Sequence, residues 1–269
     1  VRLLNLQKKK LNYKIKIKKI DNNFKISDLK SNELPVYDIK YKQKKSFEKI
    51  SNKSNKYILK CFDYAMELAE SKKILGFINC PISKESLFKK KHQGITEFLS
   101  KKSDRSGDEV MLIYNNKLSV APITTHIPLN QVSSKVEKLK IIKKVKIINA
   151  FYNKVFNKKP NFAILGLNPH NFTPSKKPEE KKIIYRAIKS LIKSKIKVSG
   201  PIPTDSSFMI FKKYKFDVII GMYHDQVLTP FKALYNFNAI NITLGLPYIR
   251  ISPDHGVAEN ITGKKIANP

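Results

Sequence analysis

Short apolar runs, each closed by a polar knot and separated by helix-length amphipathic stretches, constrain this chain more than any other feature. Ile74 to Cys80, Phe162 to Leu167, Asp217 to Met222 and Ala239 to Leu244 are such runs. They are too short for helices and too continuously apolar for strands with one wet face, as expected of strands covered on both sides. Tyr57 to Lys72 places Ile58, Phe62, Ala65, Met66 and Ala69 on one side at helical spacing. Lys135 to Phe156 steps Val136, Leu139, Ile142, Val145 and Ile148 by three or four, and a further helix is expected over about Pro178 to Ile192. Strands alternating with helices specify an α/β fold with a largely parallel sheet. Val110 to Tyr114 and Leu118 to Ile123 add two strands around Asn115-Asn116, where asparagine tolerates the positive φ of a hairpin turn. Leu11 to Ile20 alternates apolar residues with lysine, the pattern of a strand with one wet face. Residues 21–56 read as loop with one short strand near Val36 to Ile39, and Ser83 is placed to cap a helix through Lys91.

The polar knots occupy strand ends. Thr124-Thr125-His126, Asn168-Pro169-His170 and Tyr223-His224-Asp225-Gln226 each close an apolar run. Open α/β sheets bind their ligands there, at the carboxyl ends of the strands. No GxGxxG follows any strand, so an ordinary dinucleotide fingerprint is not supported. Three imidazoles from three strand ends would suit a catalytic divalent metal such as zinc. Each taken alone is more often a hydrogen-bonded structural histidine. Asp205 and Asp225 could accept a proton or orient a metal-bound imidazole, or serve only as turn or N-cap residues. Toward the C-terminus Asn241, Arg250, Ser252, Asp254 and His255 surround Gly245 and Gly256, a set suited to an anionic ligand. His92, inside a lysine run, reads as solvated surface.

With 269 residues, 41% of them hydrophobic, the chain can bury a sizeable core. No apolar run reaches the ~18 to 20 residues of a membrane span, and the lysine-rich start lacks the apolar stretch of a secretory signal. A cytoplasmic location is therefore expected, without a membrane partner. Cys61 and Cys80 lack CxxC spacing and read as reduced core residues. The net charge of +32 raises nucleic acid as a partner, but only four of the 53 basic residues are arginine. No nucleic-acid motif accompanies the charge, so the excess reads as a solvated lysine surface whose field would draw in a phosphorylated small substrate.

The ordered blocks GFINCPISK, GITEF, TTHIPL, GLNPH, GPIPTD, MYHDQ and NITLGLPYIRISPDHG resemble the 4-hydroxythreonine-4-phosphate dehydrogenase family of vitamin B6 biosynthesis. The resemblance covers roughly residues 74 to 269, and the start more weakly. It implies a two-lobed, three-layer αβα fold like the isocitrate and isopropylmalate dehydrogenases. Residues 1–269 would form one catalytic unit of two interleaved lobes, with the lobe boundary unassigned. It also implies a homodimer with a shared active site and NAD-linked oxidation of the C3 hydroxyl of 4-phosphohydroxy-L-threonine. Loss of carbon dioxide would then leave 3-amino-2-oxopropyl phosphate, and NADP is the alternative cofactor.

By motif position His126, His170 and His224 correspond to ligands of a divalent metal, zinc first with magnesium or cobalt as alternatives, one of them from the partner subunit. Thr96, Lys232, Asn241 and Arg250 match residues that hold the phosphorylated substrate. Asp205 and Asp225 match acidic groups near the reacting hydroxyl. Gly245, Leu246 and Asp254 are expected to line the cofactor pocket, glycine permitting close backbone approach. One departure concerns Ile95, where the family usually carries histidine. Isoleucine cannot hydrogen-bond a substrate. A sister dehydrogenase for a phosphorylated sugar acid such as 4-phosphothreonate is therefore an alternative, and a noncatalytic basic binding protein is another. Measured against the family pattern the chain is expected to be clipped at both ends, which would leave apolar surface exposed.

Overall fold

The computed structural model describes residues 1–25, 27, 30–88, 94–174 and 178–267. His92 and the end of the helix expected through Lys91 lie outside the described residues. The chain divides into two compact units that alternate along the sequence. One comprises Val1–Ile74, Ile82–Lys89 and Gly256–Pro269; the other comprises Leu75–Pro81 and Lys90–His255.

The first unit holds α1 (Arg2–Leu11), β1 (Lys16–Ile20), β2 (Glu33–Tyr37), α2 (Asn55–Glu70) and α3 (Lys84–Phe88). The strand expected over Leu11 to Ile20 is real only from Lys16. Its first residue closes α1 instead, and Asn12 follows with φ 53°, a left-handed cap that asparagine tolerates. β1 and β2 pair in parallel, with Pro35 opposite Lys18. A two-stranded sheet is all edge, so the missing proline donor costs little there. α2 buries Phe62, Met66 and Ala69, the stripe its periodicity marks. The Ser86 amide donates to the Ser83 hydroxyl at 3.4 Å at the start of α3, as expected of a capping serine.

The second unit begins with β3 (Gly76–Ile78), α4 (Ile95–Lys102), β4 (Val110–Tyr114), β5 (Ser119–Thr124), α5 (Val132–Lys135) and α6 (Lys138–Phe156). It continues with β6 (Phe162–Leu165), α7 (Tyr185–Lys193), β7 (Val198–Ile202), α8 (Thr204–Ile210), β8 (Val218–Tyr223), α9 (His224–Tyr235), β9 (Ile240–Leu244) and β10 (Ile249–Pro253). The strands form one sheet in the order β3-β10-β9-β4-β5-β8-β6-β7. β5, β8, β6 and β7 run parallel, whereas β4 and β9 pair with their neighbours in antiparallel fashion. The sheet is thus mixed rather than largely parallel. The links from β4 to β5 and from β9 to β10 are too short for a crossover, so each can only make a hairpin.

Helices cover both faces of this sheet. On one, Ile141, Val145 and Ile148 of α6 and Ala187, Ile188 and Leu191 of α7 pack on Leu112, Ile123, Ile164 and Ile220. On the other, Val227, Leu228 and Phe231 of α9 pack with Phe211 on Ile113, Val120, Leu165 and Ile219. Within this unit the architecture is the expected three-layer αβα.

Several local expectations need correcting. β3 is an exposed edge, with Leu75 90% and Ile78 77% exposed. Cys80 beside it is exposed as well, Cys61 is half-buried, and both are free thiols. The helix expected from Lys135 breaks at Glu137, which is extended (φ −129°, ψ 142°). That break leaves Leu139 in solvent and buries Val136 outside α6. Asn115 and Asn116 form the expected hairpin without positive φ. Instead the Asn115 Oδ1 accepts from the Lys117 amide at 2.9 Å and its Nδ2 donates to the Asn238 carbonyl at 2.6 Å. Among the described residues, no helix is long and apolar enough to cross a membrane.

Candidate active site

Because β5 and β8 are parallel neighbours, their following knots emerge side by side. The His126 and His224 rings lie 5.7 Å apart. His126 Nδ1 is 3.0 Å from Glu97 Oε1, which also accepts from the Thr125 hydroxyl at 2.9 Å. Burial pushes the Glu97 carboxyl up, but the hydrogen bond and charge of His126, with the Thr125 bond, outweigh it and hold the group at about 2. His224 Nδ1 is 2.8 Å from Asp225 Oδ1. His170 follows β6 with φ 52°, and its Nδ1 is 3.4 Å from Asp205 Oδ2.

Each of the three predicted ligand histidines therefore turns Nδ1 to a carboxylate and leaves Nε2 for another partner. Metal-bound imidazoles are commonly oriented this way, because the carboxylate fixes the tautomer and raises ligand basicity. The donor set fits a divalent metal. One chain does not assemble it, however: among the described residues no three His, Cys, Asp or Glu side chains gather closely enough to hold an ion. His126 and His224 come together, while the His170 side chain is 79% exposed beside an Asp205 that is 61% exposed.

A second cluster lies on β9 and β10. Register places Arg250 opposite Thr243 and Ser252 opposite Asn241. Since strand residues two apart share a face, Asn241, Thr243, Arg250 and Ser252 form one polar patch. Arg250 Nη1 donates to the Thr243 hydroxyl at 3.0 Å, and Nε donates to Asn79 Oδ1 at 2.8 Å. The Thr243 hydroxyl is also 3.3 Å from that of Thr96 on α4. Arg250 is only 2% exposed, and burial lowers its pKa to about 10 against the pull of Glu97. Both of these hydrogen-bond partners are neutral oxygens. A buried guanidinium whose bonds go to neutral oxygens, with Glu97 acting on its charge from a distance, suits an incoming phosphate or carboxylate. The Asn241 side-chain oxygen, buried on the same face, has no hydrogen-bond partner among the described residues.

Lys232 and Asp254, expected on substrate and cofactor respectively, are brought together. Lys232 Nζ donates to the Asp254 carbonyl at 2.8 Å and lies 3.4 Å from its Oδ1. Burial raises the Asp254 pKa, opposed by Lys232, His224 and His255, and its buried Oδ2 has no hydrogen-bond partner among the described residues. Gly245 has φ 85°, and a Cβ there would meet the Asp108 carbonyl oxygen at 2.0 Å. The close approach that glycine permits is thus made by this chain's own backbone. Leu246 is half-buried in the hairpin that follows. Ile95 is 7% exposed and belongs to the apolar core.

Sequence reasoning missed Glu97, Asn79 and Thr243. Thr243 could have been found from strand spacing, since it stands two residues from Asn241. Glu97 follows Thr96 directly, but its reach to His126 depends on how α4 meets the end of β5, which no local pattern encodes.

Fold and site together define a three-layer α/β protein with carboxylate-paired histidines at its strand ends and a buried polar cluster around Arg250. A family model described as pyridoxal phosphate biosynthetic protein PdxA matches residues 2–269, and the chain belongs to that family. Its named relatives are oxidoreductases. The 4-hydroxythreonine-4-phosphate dehydrogenase of Sulfurihydrogenibium sp. (strain YO3AOP1) is 38% identical over 265 residues, covering 89% of this chain and 81% of the relative. A relative from Oceanobacillus iheyensis, provisionally named a D-threonate 4-phosphate dehydrogenase, is 36% identical over 215 residues. That match covers 77% of this chain but only 64% of the relative. Among solved structures, the 4-hydroxythreonine-4-phosphate dehydrogenase of Klebsiella pneumoniae superposes with a TM-score of 0.80 at 28% identity, over 99% of this chain and 82% of that one.

Proposed function

We propose that this chain is a metal-dependent, NAD-linked dehydrogenase that oxidises the C3 hydroxyl of 4-phosphohydroxy-L-threonine in pyridoxal phosphate biosynthesis. The β-keto acid so formed would lose carbon dioxide to give 3-amino-2-oxopropyl phosphate. The observation that carries this reading is Arg250, a buried cation whose hydrogen-bond partners among the described residues are the neutral oxygens of Thr243 and Asn79. Its fork would take two phosphate oxygens, with Thr96 and Asn241 completing the grip. Lys232 would add charge from α9, its ammonium held in place by Asp254.

His126, His170 and His224 would hold the metal in a homodimer, with the exposed His170 as the ligand given to the partner's site. Zinc, or alternatively magnesium or cobalt, would supply a Lewis acid that lowers the pKa of the substrate hydroxyl, and NAD or NADP would supply the hydride acceptor. Asp225 and Glu97 hold the imidazoles of His224 and His126 in orientation. Asp205 and Asp225 are the candidates to take the hydroxyl proton. Gly245, Leu246 and Asp254 would receive the cofactor. A cytoplasmic setting suits this chemistry, since the nicotinamide pool is there.

A second substrate reading, a 4-phosphothreonate, is favoured by one observation: Ile95 is buried in apolar contact and offers no hydrogen bond to a substrate amine or hydroxyl. NADH formation should decide between them when 4-phosphohydroxy-L-threonine and the phosphothreonates are compared with added Zn2+, Mg2+ or Co2+. Turnover should vanish on chelation and in His170→Ala. Reduction of NAD with neither substrate, or activity that survives chelation, overturns the assignment.

A further inference from the structure

Gln226 stands two residues after His224, in the first turn of α9, and is 5% exposed. Its side-chain amide touches the ends of three different strands. Nε2 donates to the Gly166 carbonyl at 2.7 Å, where β6 gives way to the His170 turn. The same nitrogen donates to the Thr204 hydroxyl at 2.8 Å, at the start of α8 and one residue before Asp205. Oε1 accepts from the Met222 amide at 2.6 Å, inside β8 and two residues before His224. Gly221 makes room for this arrangement, because a Cβ there would stand 3.0 Å from Oε1 and 2.5 Å from Val227 Cγ1.

The ladder alone does not fix these three points relative to one another. β8 and β7 are not neighbours, since β6 lies between them. β7 is also the edge strand, and its pairing with β6 shifts register between Ala163 and Leu165. The turn carrying Asp205 therefore hangs from the least regular part of the sheet, while the turn carrying His224 and Asp225 hangs from a regular one. Gln226 spans the gap between them. A primary amide is the side chain suited to this place, because it offers two donors and an acceptor in one plane without charge.

We propose that Gln226 is a positioning residue, which braces the turn carrying His170 and Asp205 and the turn carrying His224 and Asp225, each as its chain would present it to a metal centre of the dimer, and so tunes the affinity of those centres. The proposal rests on the metal-dependent reading above. It assigns Gln226 no contact with substrate or metal. Loss of a group bonded directly to a ligand imidazole typically weakens metal binding by about 10- to 100-fold, and Gln226 acts one step further out, through the turns that carry the histidines.

The test uses Co2+ as the probe, titrated into the metal-free full chain and followed by its visible absorption. Gln226→Glu keeps the shape and the acceptor for Met222 but removes both donor hydrogens. It is expected to bind Co2+ several-fold to about 10-fold more weakly, with a shifted visible spectrum, while the KM for the phosphorylated substrate at saturating metal changes little. Thr204→Val cuts only one of the three bonds and should give a smaller loss of the same kind. It also keeps the proposal testable if Gln226→Glu fails to fold. Variants that fold, bind Co2+ with wild-type affinity and keep the wild-type spectrum overturn the role of Gln226 alone. A wild-type chain that takes up no Co2+ or Zn2+ overturns the metal reading and this proposal with it.

Discussion

Lys144 is the residue whose chemistry sits least easily in its place. It lies on α6, is 6% exposed, and its ammonium reaches the Pro122 carbonyl at 3.5 Å. Burial, helped by nearby Lys140, lowers its pKa from 10.5 to about 8 against the pull of Glu109 and Glu97. The folded pKa lies below the unfolded one, so below pH 8 the chain carries the whole cost of burying the charge. As pH rises from about 8 toward 10.5 the folded state sheds the proton first, and stability rises. Lys144→Met is therefore expected to stabilise the protein at pH 7 by on the order of 2 to 3 kcal/mol, from the size of the shift. Urea denaturation across that pH range should show the gain shrinking with pH; a constant gain refutes the cause. The sequence hides this residue, since one lysine among so many on an amphipathic helix reads as surface. The strand-end placement of His126, His170 and His224 was legible because each histidine is rare and follows an apolar run. Glu97 and Gln226 were not, because their roles depend on partners reached across the fold.

At the scale of elements, strands buried on both faces were the easiest to read. β6 and β8 are continuous apolar runs, and β4 and β5 nearly so. β7 and β10 escaped because glycine, proline and polar residues interrupt them, and their strand character comes from ladder partners. The helix beginning near Pro178 was expected, but not its opening π-helical turn over Glu180–Ile184. Tertiary demand gives a physical reason for irregularity there. Glu180, 5% exposed, accepts from the Leu167 and Asn168 amides at 3.0 and 2.8 Å and from Asn168 Nδ2 at 3.1 Å. One carboxylate thus clamps the turn that carries His170. Glu180→Gln replaces an acceptor oxygen with a donor facing donors, and is expected to cost about 1 to 3 kcal/mol. Hydrogen exchange at Leu167 and Asn168 should accelerate more than elsewhere in the sheet; unchanged protection at those two amides would exclude the clamp.

For the whole molecule, alternation of strand and helix was enough to specify a layered α/β fold, but not the direction of each strand. The net charge of +32 acts at this scale too. A phosphorylated substrate approaching such a field is steered, and exposed charges are screened as salt rises. kcat/KM for that substrate should fall several-fold between about 20 and about 300 mM salt, with kcat nearly constant; a flat profile would show that the lysines do not guide it. Chain order adds a consequence for synthesis. β10 pairs with β3 through Ile249 and Gly76, strands that lie near opposite ends of the second unit's sequence. β3 leaves the ribosome early and waits, its edge unpaired, until nearly the whole unit has been made. Such distant pairing is slow to close and exposes the waiting segment to misassociation. Leu75 and Ile78, already open to solvent in the finished fold, lie at that edge. The strand that arrives last carries Arg250, so the buried cluster it forms with Thr243 and Asn79 is completed only when the sheet itself is.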